Sequence, residues 1–152
     1  MVSSASAHLF YGFAVSEEDE VLSRFVDSID DARLCFALLK TGNVASIDEF
    51  IEEEHSFVDS DDYGDEVAEI FESLDFDYVA CNNCNCAGDD GLMIGVRGAG
   101  DSACEYGPQV IDPKVLCLPK KAEIDLLIEF RDTVGFKTTT EQPVWLLGAS
   151  YG

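Results

Sequence analysis

The run HLFYGFAV, residues 8 to 15, is apolar and aromatic over the length of a strand and ends at an acidic cluster, which predicts a first strand. Beyond it the period changes. Ser16 has the chemistry of a helix N-cap, with Glu17, Glu18 and Asp19 placed where carboxylates favour the positive end of a helix dipole. Leu22, Phe25, Val26 and Ile29 then follow at i, i+3, i+4 and i+7, so a helix with one buried face is predicted from position 16. ARLCFALLKTGN continues it to an end at Lys40 and Gly42. Ser46 and Glu49 form a capping-box pattern that opens a short helix through Phe50 and Ile51. In DEVAEIFESL, residues 65 to 74, Val67, Ile70, Phe71 and Leu74 make a helical stripe that excludes most of the carboxylates.

The second half alternates differently. FDYVAC (76 to 81) and LMIGVR (92 to 97) read as two strands of a hairpin joined by the Gly- and Asn-rich loop NNCNCAGDDG. Residues 98 to 119, with several Gly and Pro, read as a long connection with short extended pieces at PQVI and KVLCL. KKAEIDLLIEFRDTVGF is the last helix, with Ile124, Leu127 and Ile128 facing inward and Gly135 as its cap, and PVWLLGASYG closes the chain as a strand. The resulting order, strand, helical segment, two strands, helix, strand, is the split βαβ pattern of ferredoxin-like folds. The expectation is an α+β chain, one domain over residues 1 to 152, with a ferredoxin-like antiparallel sheet and an acidic helical insertion at about 41 to 75. Strands one and three are expected in the middle of that sheet. The strand at 144 to 151 is expected at its edge, where it could pair with a copy of itself, although the oligomeric state is not fixed by the sequence.

Composition adds that the chain folds: 47% of it is apolar, with ten Phe and one Trp, and 152 residues suffice to bury a core. No apolar run reaches membrane-spanning length, and MVSSASAHLFYG lacks the basic region and apolar core of a signal peptide. The expectation is a cytoplasmic protein, in the host cytoplasm if the chain is viral, with six cysteines as free thiols or metal ligands.

Charge changes the picture most. The net charge is −22, and residues 1 to 80 carry 21 acids and 3 bases, against 10 acids and 6 bases in 81 to 152. From 48 to 77 there are 14 acids and no Lys or Arg. Such a field repels nucleic acid and anionic membrane and attracts basic surfaces. The expected partner is therefore a basic protein.

Candidate chemistry is sparse. Cys81, Cys84 and Cys86 form C-x-x-C-x-C in a turn, a zinc-knuckle type of loop, for which Cys104 or Cys117 would supply a fourth ligand. Reduced thiols, with Cys35 as a small core filler, are the plainer reading. A redox role is weaker because the motif does not lie between a strand and a helix start. His8 begins a strand and His55 sits among carboxylates; no Ser-His-Asp order, phosphate loop or H-E-x-x-H occurs. DSDDYGDE, 59 to 66, places Asp59, Asp61 and Gly64 at EF-hand positions 1, 3 and 6, but position 12 would be Ile70. No enzyme activity or resident cofactor is expected.

HLFYG near the start, YVA followed by LMIGVRG, then PQVID, a helix and a terminal WLLGASYG resemble the layout of small uncharacterised bacteriophage proteins. That family has no assigned activity. The resemblance implies an interaction partner or inhibitor of a host machine, and no functional residue carries over from it.

Mimicry of nucleic acid accounts for the acidic block. Duplex DNA has a phosphate per about 3.4 Å along each strand, and four carboxylates over the rise of residues 65 to 74 are spaced by about 3.4 Å. The candidate contact residues are Asp48, Glu49, Glu52, Glu53, Glu54, Asp59, Asp61, Asp62, Asp65, Glu66, Glu69 and Glu72. The expected function is a non-enzymatic, DNA-mimic inhibitor of a basic nucleic-acid-binding host protein, in host takeover or anti-defence. A zinc-binding domain and a salt-adapted acidic protein without a charge-mediated partner are the alternatives. Against the latter, a salt-adapted surface would be acidic all round.

Overall fold

A computed structural model of the protein describes residues 5–16, 19–25, 28–52, 63–81, 91–104 and 118–151. It is an α+β structure of four strands, β1 (Ala5–Ser16), β2 (Phe76–Cys81), β3 (Gly91–Cys104) and β4 (Val144–Tyr151), and four helices, α1 (Ser28–Thr41), α2 (Ile47–Glu52), α3 (Asp65–Ser73) and α4 (Lys121–Val134). The chain divides into two compact units. A sheet unit takes residues 1–17, 76–128 and 137–152; a helical unit takes 18–75 and 129–136.

In the sheet unit the strands lie in the order β2-β3-β1-β4, and every neighbouring pair is antiparallel. β1 and β3 are central, as their near-continuous apolar sequences require, because a strand with neighbours on both sides has little water to meet. Phe13, Ile94 and Tyr78 share one register row across three strands, and Phe13 and Ile94 are fully buried. Tyr78, on the outer strand of that row, stays exposed. β3 is much longer than LMIGVR implies, running through Gly98 and Gly100 to Cys104, where a connection was expected. Its route is irregular: while β1 advances from Phe10 to Gly12, its partner positions on β3 jump from Gly100 to Gly95, leaving three extra residues on β3. Glycine permits the close approach at this bulge. A Cβ on Gly12 would fall 1.9 Å from the Ile94 carbonyl oxygen, and one on Gly95 3.0 Å from that of Tyr11. The two outer strands, β2 and β4, approach within 8 Å between Cα atoms without pairing, so the sheet is strongly curled.

The helical unit corrects the predicted helix at 16 to 29. β1 runs through Ser16, a single 3₁₀ turn occupies Leu22–Arg24, and Phe25 is extended, with φ −87° and ψ 142°. Asp19 explains the change, because its Oδ1 accepts hydrogen bonds from the backbone N–H groups of Val21 and Leu22, both at 3.0 Å. A short acidic side chain that captures two local N–H groups favours a turn over a helix interior. Leu22, Phe25 and Ile29 are nevertheless buried, so the apolar spacing marked the inward residues but not the backbone that turns them in.

From Ser28 the expectation holds. Ile29, Ala32, Leu34, Cys35, Phe36, Ala37 and Leu38 of α1 are all buried, and Asp30 and Asp31 occupy its first turn. Its end is a Schellman motif, in which Asn43 N–H donates to Leu38 O at 2.9 Å, Gly42 N–H to Leu39 O at 3.3 Å, and Gly42 has φ +77°. Phe25 meets Phe50, and Phe36 and Phe136 meet Phe130 edge to face, at centroid distances of 5.4 to 5.9 Å.

Candidate functional site

α3 carries the densest described part of the acidic block, and its two faces have opposite chemistry. At about 100° per residue, Val67, Ile70, Phe71 and Leu74 fall within one arc of about 100°, while Asp65, Glu66, Glu69 and Glu72 fall within a separate arc of about 120°. Val67 and Leu74 are buried, Ile70 and Phe71 half-buried, and all four carboxylates exposed. Asp65 and Glu66 sit in the first turn, where the N-terminal dipole favours them.

The helix is held by a residue that carboxylate counting passes over. Arg33 of α1 lays its guanidinium 4.2 Å from the Phe71 ring centroid. It donates from Nη2 to the Phe71 carbonyl oxygen at 3.0 Å and from Nη1 to Asp30 at 3.2 Å. A planar fork that stacks and donates at once is a role for Arg and not for Lys. The sequence signal was a lone arginine in the apolar run ARLCFALL, three residues after Asp30.

The other cations of the helical unit are also committed. Arg24 pairs with Asp48, Lys40 with Glu129 and Arg131 with Asp132. The unit has 21 acids and 4 bases, a net of −17, against 10 acids and 5 bases, −5, in the sheet unit. The polarity of the sequence is therefore a property of the units, and among the described residues no Lys or Arg of the helical unit pairs with a carboxylate of α3.

The twelve carboxylates proposed from the sequence separate into three groups. Asp48 is tied to Arg24, and Glu49 belongs to the local fold: its N–H donates to Ser46 Oγ at 3.1 Å and its Oε2 accepts from Ala45 N–H at 2.7 Å. That is the capping chemistry expected of the pair, displaced by one residue at the backbone donor. Glu52, Asp65, Glu66, Glu69 and Glu72 are exposed, and among the described residues their carboxylates make no hydrogen bond or ion pair. Glu53, Glu54, Asp59, Asp61 and Asp62 lie outside the described residues, as do His55 and residues 59–62 of the segment compared with an EF-hand.

Among the cysteines, Cys35 is buried in α1, and burial pushes its thiol up to about 12 from the ordinary value of 9.0. Cys81 ends β2 and pairs with Gly91, whereas Cys104 ends β3 and pairs with Ser6 of β1. Gly91 pairs with Ser16, so the two cysteines stand ten β1 residues apart, about 33 Å at a strand's rise. Cys84, Cys86 and Cys117 lie outside the described residues. His8 is half-buried in β1 with its ring 6.2 Å from that of Phe10.

No protein-family model, no curated protein and no solved structure matches this chain.

Proposed function

We propose that this is a non-enzymatic binding protein whose acidic helical unit occupies a basic, nucleic-acid-binding surface of a partner protein, as a bacteriophage inhibitor of a host protein would. One observation carries the reading: the helical unit's four Lys and Arg residues all pair within the unit, while Asp65, Glu66, Glu69 and Glu72 are exposed on the side of α3 away from its apolar stripe with no ion pair among the described residues. An amphipathic helix needs polar residues on that side, but solvation alone is served equally by lysine, glutamine or serine. A face of four acids and one serine, Ser73, with no base, in a unit of −17, attracts cationic surfaces and raises their association rate. The strand order and directions support the ferredoxin-like reading of the sheet, with residues 18–75 as an enlarged first crossover between β1 and β2.

The test uses a triple variant, Glu66→Gln, Glu69→Gln and Glu72→Gln, with Lys120→Gln/Lys121→Gln as the control. Immobilised wild-type protein should retain basic proteins from the heparin-binding fraction of a bacterial lysate and release them as salt rises. Against a retained partner, the triple variant should associate more slowly and show a shallower salt dependence, and the control should match wild type. Equal affinity with an unaltered salt slope would mean that the face is merely solvated.

A further inference from the structure

α3 is a poor helix by its own chemistry. Nine residues fall below the length at which an isolated helix holds in water, and the helix begins at Gly64, which has no side chain to cap it. Its carboxylates work against it as well. Asp65 and Glu66 stand four and three residues before Glu69, and Glu69 three before Glu72, so three like-charge pairs meet on one face. Glu69 and Glu72 lie toward the C-terminal end, where the helix dipole disfavours an anion, and the last turn holds no base. What holds α3 in place therefore comes from α1, the element it packs against most.

Arg33 of α1 supplies at one point what α3 lacks there. Its guanidinium lies 4.2 Å from the Phe71 ring centroid, puts a cation at the C-terminal turn, and donates from Nη2 to the Phe71 carbonyl oxygen at 3.0 Å. As a core residue it is a costly choice. Its Nε is buried without an acceptor among the described residues, a cost that an apolar side chain would avoid. We propose that Arg33 is the positioning residue of the acidic face: its guanidinium fork latches α3 onto α1 against the repulsion among the carboxylates of α3, and α3 opens from α1 before α1 itself unfolds. The use of this latch rests on the binding role of the face, whereas the latch itself is measured on the free protein.

Amide hydrogen exchange resolved by residue tests it. In wild type the amides of 69–74 should exchange before those of 32–38 in α1. Arg33→Lys keeps the charge and loses the stacked fork. It should speed exchange in α3 about tenfold, as loss of a cation–π contact and a charged hydrogen bond would, and leave α1 as in wild type. Glu69→Gln/Glu72→Gln removes all three like-charge pairs and keeps helix propensity. That pair should slow exchange in α3 and, combined with Arg33→Lys, return it toward the wild-type rate. The loss of a residue that only filled the core would not be offset by neutralising carboxylates it does not touch. Unchanged α3 exchange in Arg33→Lys overturns the proposal. So does equal acceleration of α1 and α3, or a combined variant that exchanges as fast as Arg33→Lys alone. A wild type that binds no basic protein would sink the binding role of the face and leave these rates as they are, so the two fail separately.

Discussion

A methyl group at position 12 would have to share space with the Ile94 carbonyl oxygen, 1.9 Å away, and with the Gly95 Cα at 2.6 Å. Both obstacles are backbone, so no rotamer change relieves them. Gly12→Ala should therefore cost at least the roughly 1–3 kcal/mol of an overpacked core, read as a lower denaturation midpoint. Cys35 sets a second limit at this scale. Its side chain on α1 is fully buried, and burial raises its folded pKa from the ordinary 9.0 to about 12. The folded state thus holds the proton more tightly, so this contribution to stability is complete below pH 9 and is lost as pH rises from there through 12. Cys35→Ala should flatten the fall in melting temperature over that range. In the native protein at pH 8, alkylation followed by mass spectrometry should leave Cys35 unmodified.

At the scale of elements, α3 separates what holds the protein together from what faces outward. Val67 and Leu74 anchor it, Arg33 stacks on Phe71 and binds its carbonyl, and the carboxylates contribute to none of these contacts. The triple replacement of Glu66, Glu69 and Glu72 by Gln should therefore leave the melting temperature unchanged or higher, because helix propensity is kept and like-charge repulsion is relieved. Loss of partner binding with preserved stability is the combination that separates a binding face from a structural one. Asp48 and Glu49 differ in kind. Both belong to the same acidic block, yet one pairs with Arg24 and the other caps α2, so their removal acts on stability.

For the whole molecule, the segregation of −17 into one unit and −5 into the other separates two explanations of its acidity. Repulsion within the helical unit should be relieved by screening, so the melting temperature should rise with moderate salt from a state already folded in dilute buffer. Circular dichroism against salt concentration measures this. A chain that folds only near molar salt, where the Debye length is about 3 Å, would favour salt adaptation.

The sequence by itself determined the α+β character, the existence of the four helices and four strands among the described residues, the ends of α1 and α4 at Gly42 and Gly135, and the inward residues of α3. These depend on period and on local cap chemistry, which act over a few residues and are written in order along the chain. It also determined the inward residues at 22, 25 and 29, but not their backbone, since an apolar residue needs only to reach the interior, and Asp19 decided the turn that takes it there. Only the tertiary structure decided the length of β3, because glycines that mark a connection in isolation become a bulge when β1 pairs on both sides of them. It alone set Cys104 at the opposite end of that strand from Cys81, a separation fixed by register and invisible in spacing. Tertiary structure also distinguished spare carboxylates from committed ones, because an acid's availability depends on where the few cations end up, and Arg24 and Lys40 find their carboxylates, Asp48 and Glu129, through the fold.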